Sequence, residues 1–151
     1  ADANSADVQF AMMMIPHHEQ AVEMAEMVLA KDDIDERVVA LAEQIKAAQG
    51  PEIELMESWL DDWGTPMGDM DGMDHGGMMS DTDMRALQDA TGVEASRLFL
   101  EQMIVHHEGA IQMAQTEVEH GQNADVIALA ENIIASQTTE ITTMEEILAT
   151  L

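Results

Sequence analysis

The sequence predicts an all-α protein: a four-helix bundle, ferritin-like in connectivity, built from two repeated helical hairpins. Three observations carry this. The chain repeats itself, with residues 10–25 matching 99–114 at 9 of 16 positions and residues 41–60 matching 129–148 at 11 of 20. Chance would leave roughly one or two identities in each window. Apolar residues in the repeated segments recur at helical spacing, and one long Gly- and Met-rich crossover separates the two copies.

The first helix is expected over about residues 5–30. Phe10, Met14, His17, Ala21, Met24 and Val28 alternate at spacings of four and three, an apolar stripe down one face. The second is expected over 35–62, with Ile45, Gln49, Glu52 or Ile53, Met56 and Leu60 along its stripe. Pro16 and Pro51 lie inside these helices, where each removes a hydrogen bond and invites a kink. Neither recurs in the second copy, where Val105 and Thr139 stand instead. A short helix over 81–90 is predicted by Ser80 with Asp83 three residues on, a capping pair. The last two helices are expected over 94–120 and 124–150, with Phe99, Met103, His106, Ala110 and Met113 on one stripe. Ile133, Gln137, Ile141, Met144 and Leu148 form the other. Tight turns fall at Asp32-Asp33 and at Gly121-Gln122-Asn123. The whole is one domain over 1–151: a first repeat at about 5–62, a linker at 63–80 and a second repeat at about 81–151.

Composition narrows the function. The 15 Met, with only two Trp, two Phe and no Tyr, predict an aliphatic and thioether core. The absence of Cys excludes disulfides and thiolate metal sites. A net charge of -26 repels phosphate backbones and anionic bilayers, so nucleic acid is excluded as a partner. Such acidity is what a solvated helix surface carries. No apolar run is long enough to span a membrane. The small, polar start ADANSAD, without an initiator Met, predicts a mature exported form, periplasmic or extracellular.

The repeated motif is Met-x-x-His-His-Glu. Met14, His17 and His18 project from one turn, and Met103, His106 and His107 repeat the arrangement. Both fall near the middle of their helices, so they meet at one level of the bundle. Buried imidazoles need hydrogen bonds or a metal. Thioether is a soft ligand that selects Cu(I) or Ag(I), and imidazole accepts copper in either oxidation state. The pattern therefore points to copper, Cu(I) ahead of Cu(II), with Ag(I) as a substitute. His17 and His106 lie on the stripe and rank first, while His18 and His107 are rotated ~100° from it. Met24 and Met113 stand ~10 Å further along the axis at ~1.5 Å per residue. They are core filler or a second layer of ligands, and Met56 and Met144 are read as core. In the crossover Met70, Met73, His75, Met78 and Met79, preceded by Met67, form a tract suited to wrapping a soft ion or simply to spacing the hairpins.

The segments MIPHHEQAVEMA (14–25), MIVHHEGAIQMA (103–114), WLDDWG (59–64) and DMRALQDATG (83–92) carry a further likeness. Through them the chain resembles a family of exported ferritin-like proteins long filed as a domain of unknown function, which includes CopM-type periplasmic copper-binding proteins. The resemblance covers nearly the whole chain. It implies an exported bundle that binds Cu(I), Cu(II) or Ag(I) and contributes to metal tolerance, and it supports Met14, His17, His18, Met103, His106 and His107 as ligands. A copper efflux or transfer protein is then the expected partner beside the metal itself; the oligomeric state stays open. The acidity departs from the family pattern.

Two other readings compete. A di-iron oxidoreductase on the same scaffold wants Glu-x-x-His motifs. Only one occurs, Glu117-Val118-Glu119-His120 at the end of the third long helix, where the scaffold needs one on each of two helices, and Glu19 and Glu108 are expected to point away from the stripe. A metal-free structural bundle leaves the doubled motif unexplained. The expectation is metal sequestration or buffering, with no catalysis.

Overall fold

The computed structural model describes residues 2–65 and 77–151, and among these all regular structure is helical. The helices are α1 (Ser5–Leu29), α2 (Glu36–Asp62), α3 (Asp81–Asp89), α4 (Gly92–His120) and α5 (Ala124–Leu148). The four long helices agree with the sequence expectation to within two residues at every end.

Local chemistry sets most of the starts. Asn4 and Asp7 form a reciprocal capping box on α1, and Ser80 and Asp83 do the same on α3. Asp35 caps α2 through the Arg37 amide, and Asn123 caps α5 through the amides of Asp125 and Val126. Asp33 takes the left-handed conformation in the α1–α2 turn, at φ 59. Both internal prolines are absorbed: α1 runs on through Pro16 and α2 through Pro51.

α1 packs on α2, α4 packs on α5, and α1 and α4 join the two hairpins. α1 and α4 are antiparallel. At one end the Asn4 side chain donates to the His120 carbonyl (2.8 Å), and at the other Lys31 Nζ donates to the carbonyls of Gln88 and Ala90 (both 2.7 Å). α3 lies across α1 and α4. The buried apolar side chains form two clusters. One gathers Met24, Ile45, Leu87, Phe99, Met103 and Met144, and the other Phe10, Met14, Met56, Leu60 and Ile133.

One stripe assignment needs correcting. On α5 the predicted Ile133, Gln137 and Met144 are buried, but Glu140 and Ile147 are buried in place of Ile141 and Leu148, which are only partly so. Hydrophobicity favours Ile141 for the core, but a buried imidazole on α4 requires a polar neighbour, and this turns Glu140 inward.

Candidate functional site

All four motif histidines are buried: His18 and His107 fully, His17 and His106 to 1% exposure. The antiparallel pairing of α1 and α4 brings His17 against His106, with ring centroids 3.7 Å apart and planes tilted by 36°. His18 and His107 turn outward from this pair, each toward its own hairpin partner. His18 Nε2 lies 2.6 Å from Glu52 Oε1 on α2, and His107 Nε2 lies 2.5 Å from Glu140 Oε1 on α5. The 100° rotation that seemed to take these two off the stripe instead aims them into the α1–α2 and α4–α5 seams. They are as deeply placed as the stripe pair.

The layer is related to itself by the repeat. α1 maps onto α4 at an offset of 89 and α2 onto α5 at an offset of 88, which makes His18–Glu52 and His107–Glu140 the same contact made twice. Gln49 and Gln137, three residues before the two glutamates, are equivalent as well, and both are buried with Oε1 unpaired. Met14 and Met103 are fully buried and sit in opposite apolar clusters. The antiparallel crossing explains this, since each precedes its histidines by one turn on helices that run in opposite senses.

Several donor atoms here have no hydrogen-bond partner: Nδ1 of His18, Nδ1 of His107 and Nε2 of His106. Burial drives the His106 imidazole well below its ordinary pKa, and the closeness of His17, His107 and His18 adds to this; a backbone hydrogen bond at His17 acts the other way. His106 is therefore neutral at pH 7, with a lone pair exposed to the core. Neutral imidazoles with bare nitrogens, flanked by thioethers, suit a soft cation. No three His, Asp or Glu side chains converge on one point as a ready-made metal site among the described residues. Ligation would thus draw on the thioethers or on a small movement of the stacked rings.

The remaining sequence candidates lie elsewhere. Met24 is fully buried in one apolar cluster, away from the histidine layer. Met113 is partly buried against the other and lines a cavity of about 230 Å³ between α1 and α4, with Phe10, Met13, Gly109 and Glu117. Met79 packs on the first cluster, and its backbone exchanges two hydrogen bonds with the Gln20 side chain (2.8 and 3.0 Å). Met78 is half-buried beside it. Met67, Met70, Met73 and His75 lie outside the described residues. Glu19 and Glu108 are exposed, as their position beside the histidines predicts.

The glutamates of the layer, Glu52 and Glu140, were missing from the sequence candidates, and so were Gln49 and Gln137. A signal was there to be read. A Gln-x-x-Glu pair survives inside an apolar stripe in both copies, although the residues around it differ.

Comparison with known proteins agrees with this architecture. The model of the DUF305 domain of unknown function matches residues 7–148. No curated protein matches. A putative secreted DUF305 protein from Streptomyces coelicolor is similar over 96% of this chain and 93% of its own, at 37% identity and a TM-score of 0.91. A DUF305 fragment from Deinococcus radiodurans is similar over the full length of both chains, at 33% identity and a TM-score of 0.91. CopM in its Cu(I)-bound form is similar over 93% of each chain, at 33% identity and a TM-score of 0.81. CopM has also been solved with Cu(II) and with silver bound. A helical bundle whose repeated halves face each other through a histidine layer, matched by that model over nearly its whole length, belongs to the DUF305 family.

Proposed function

We propose that this protein binds soft metal ions, Cu(I) foremost, with Ag(I) and Cu(II) also accepted, and that the central histidine layer is where it holds them. The observation that carries the reading is the set of bare imidazole nitrogens buried at mid-bundle, with thioethers on either side. An unpaired polar atom in a dry core costs about 1–3 kcal/mol, a cost that a bound cation removes. The similarity to a protein solved with Cu(I), Cu(II) and silver supports the same ions here. Likeness to a putative secreted protein supports an exported location. The bundle, ferritin-like in arrangement, then serves sequestration, buffering and tolerance without catalysis, and a copper efflux or transfer protein is the partner that receives the ion. The metal is cargo.

Purified protein offered copper and iron together under reducing conditions takes up copper, measured by elemental analysis. Stoichiometric iron with no copper would reject the reading. The double variant H17A/H106A weakens the tightest Cu(I) binding by more than about tenfold in a competition titration, while circular dichroism shows the helices retained. Unchanged affinity in a folded double variant removes the central layer from consideration.

A further inference from the structure

Each half of the layer pairs one histidine with one glutamate from the neighbouring helix, and these glutamates have no role in the reading above. We propose that Glu52 and Glu140 are positioning residues that decide which imidazole nitrogen the bundle offers: they hold His18 and His107 as Nε2–H tautomers and leave Nδ1 as the open donor. The donor half of this proposal rests on the soft-metal reading; the tautomer half does not.

The geometry argues it from both ends of the ring. An ionised carboxylate can only accept a hydrogen bond, so contacts of 2.6 Å and 2.5 Å place a proton on Nε2 of each histidine. At the other end, Nδ1 of both rings is buried and meets no partner. A proton there would be an N–H with nothing to accept it, so the geometry favours a bare Nδ1 that keeps its lone pair. The Glu140 carboxylate is itself held: Gln44 Nε2 donates to its Oε2 at 3.3 Å, and Glu140 is only 6% exposed. Glutamate is not simply the nearest acid, because Glu19 and Glu108 adjoin the histidines in sequence and point to solvent. The contact also occurs twice, on different helix pairs, at equivalent positions of the repeat.

His106 supplies the contrast. Its unpaired nitrogen is Nε2, and a backbone hydrogen bond at His17 takes the place of a carboxylate. The layer therefore presents Nδ1 from the two outer histidines and Nε2 from an inner one. A carboxylate behind a ligating imidazole fixes its orientation and raises its basicity, and it balances the charge of the ion that binds.

The experiment is long-range ¹H–¹⁵N NMR of the histidine rings in ¹⁵N-labelled protein, first without metal and then with Ag(I). Metal-free wild type should show Nε2 protonated and Nδ1 bare in His18 and His107, and Ag(I) should then shift Nδ1 of both. In E52Q/E140Q the amide can either accept from Nε2–H or donate to a bare Nε2, so both tautomers should appear and silver affinity should fall by about tenfold or more. The wild-type spectra need no variant to fold. Protonated Nδ1 in the metal-free protein overturns the proposal. So do a silver shift at Nε2 and a folded E52Q/E140Q with unchanged tautomers and affinity. If Nδ1 is bare but silver shifts no imidazole, the soft-metal reading and the donor role fall together and the tautomer assignment stands.

Discussion

Gly77 sits where the chain entering α3 comes against α4, and its backbone is left-handed at φ 77. A Cβ there would lie 2.8 Å from the Val105 carbonyl oxygen and 3.0 Å from the Cα of Gly109. Both neighbours are backbone and cannot swing aside, and the conformation alone is unfavourable to any other residue. G77A is expected to cost about 1–3 kcal/mol, or roughly 2–12 °C in Tm for a domain of this size. Thermal unfolding checks this, and an unchanged Tm would mean that residue 77 is not held against α4. At the same scale, position 140 shows how a single side chain can overrule hydrophobicity. Ile141 offers more apolar surface, yet Glu140 is turned inward because His107 has no other partner for Nε2.

At the scale of elements, the start of α1 is fastened to the α4–α5 turn by one carboxylate. Asp7 accepts from the amides of Asn4 (2.9 Å), Gln122 (3.1 Å) and Asn123 (3.0 Å). Burial works against its charge, but hydrogen bonds from Glu117 and these amides outweigh that and lower its pKa. Glu117 meets Asp7 from α4 with neither of its oxygens reached by another donor, so the contact needs a proton between the two acids. Burial, then the contact with Asp7, raises Glu117 to about 8. Gly121 makes the room, since a Cβ there would fall 1.9 Å from Glu117 Oε2. The linkage follows from the direction of the shift. A carboxyl with a raised folded pKa adds stability that is complete below its unfolded value near 4.5 and lost as pH rises through about 8. Urea unfolding should therefore show stability declining between about pH 4.5 and 8 and levelling off above that. E117Q, whose amide always has a proton to donate to Asp7, should flatten that decline. Equal slopes in the two proteins would exclude Glu117 as the cause.

Over the whole molecule, charge and symmetry dominate. With 31 acidic against 5 basic side chains, the folded surface repels itself. Salt shortens the reach of that repulsion from about 30 Å at 0.01 M to about 3 Å at 1 M. Tm should rise across this range of sodium chloride, and a flat or falling Tm would show that the acidic surface carries no net penalty. The symmetry is broken at α3. α3 crosses α1 and α4 and sets Leu87 against Met24 and Phe99 at one end of the bundle. The equivalent α1–α4 groove at the other end contains the cavity lined by Met13, Met113 and Glu117. The repeat makes the two ends alike; α3 makes them differ.

What the sequence determined by itself was the set of helices, their faces and the level at which the two motifs meet. These follow from periodicity, capping residues and a repeat, all of which are local or self-referential along the chain. The ring-to-ring contact of His17 and His106 was already implied by two mid-helix motifs on facing stripes. Tertiary structure alone decided the rest of the layer. Which face His18 and His107 turn to depends on the α1–α2 and α4–α5 seams, and an angle on a helical wheel does not say whether a neighbour waits there. Glu52 and Glu140 acquire meaning only as the carboxylates that meet those rings across 34 and 33 residues of chain. The protonated Glu117 was equally out of reach, because a carboxyl's pKa depends on what folding buries beside it.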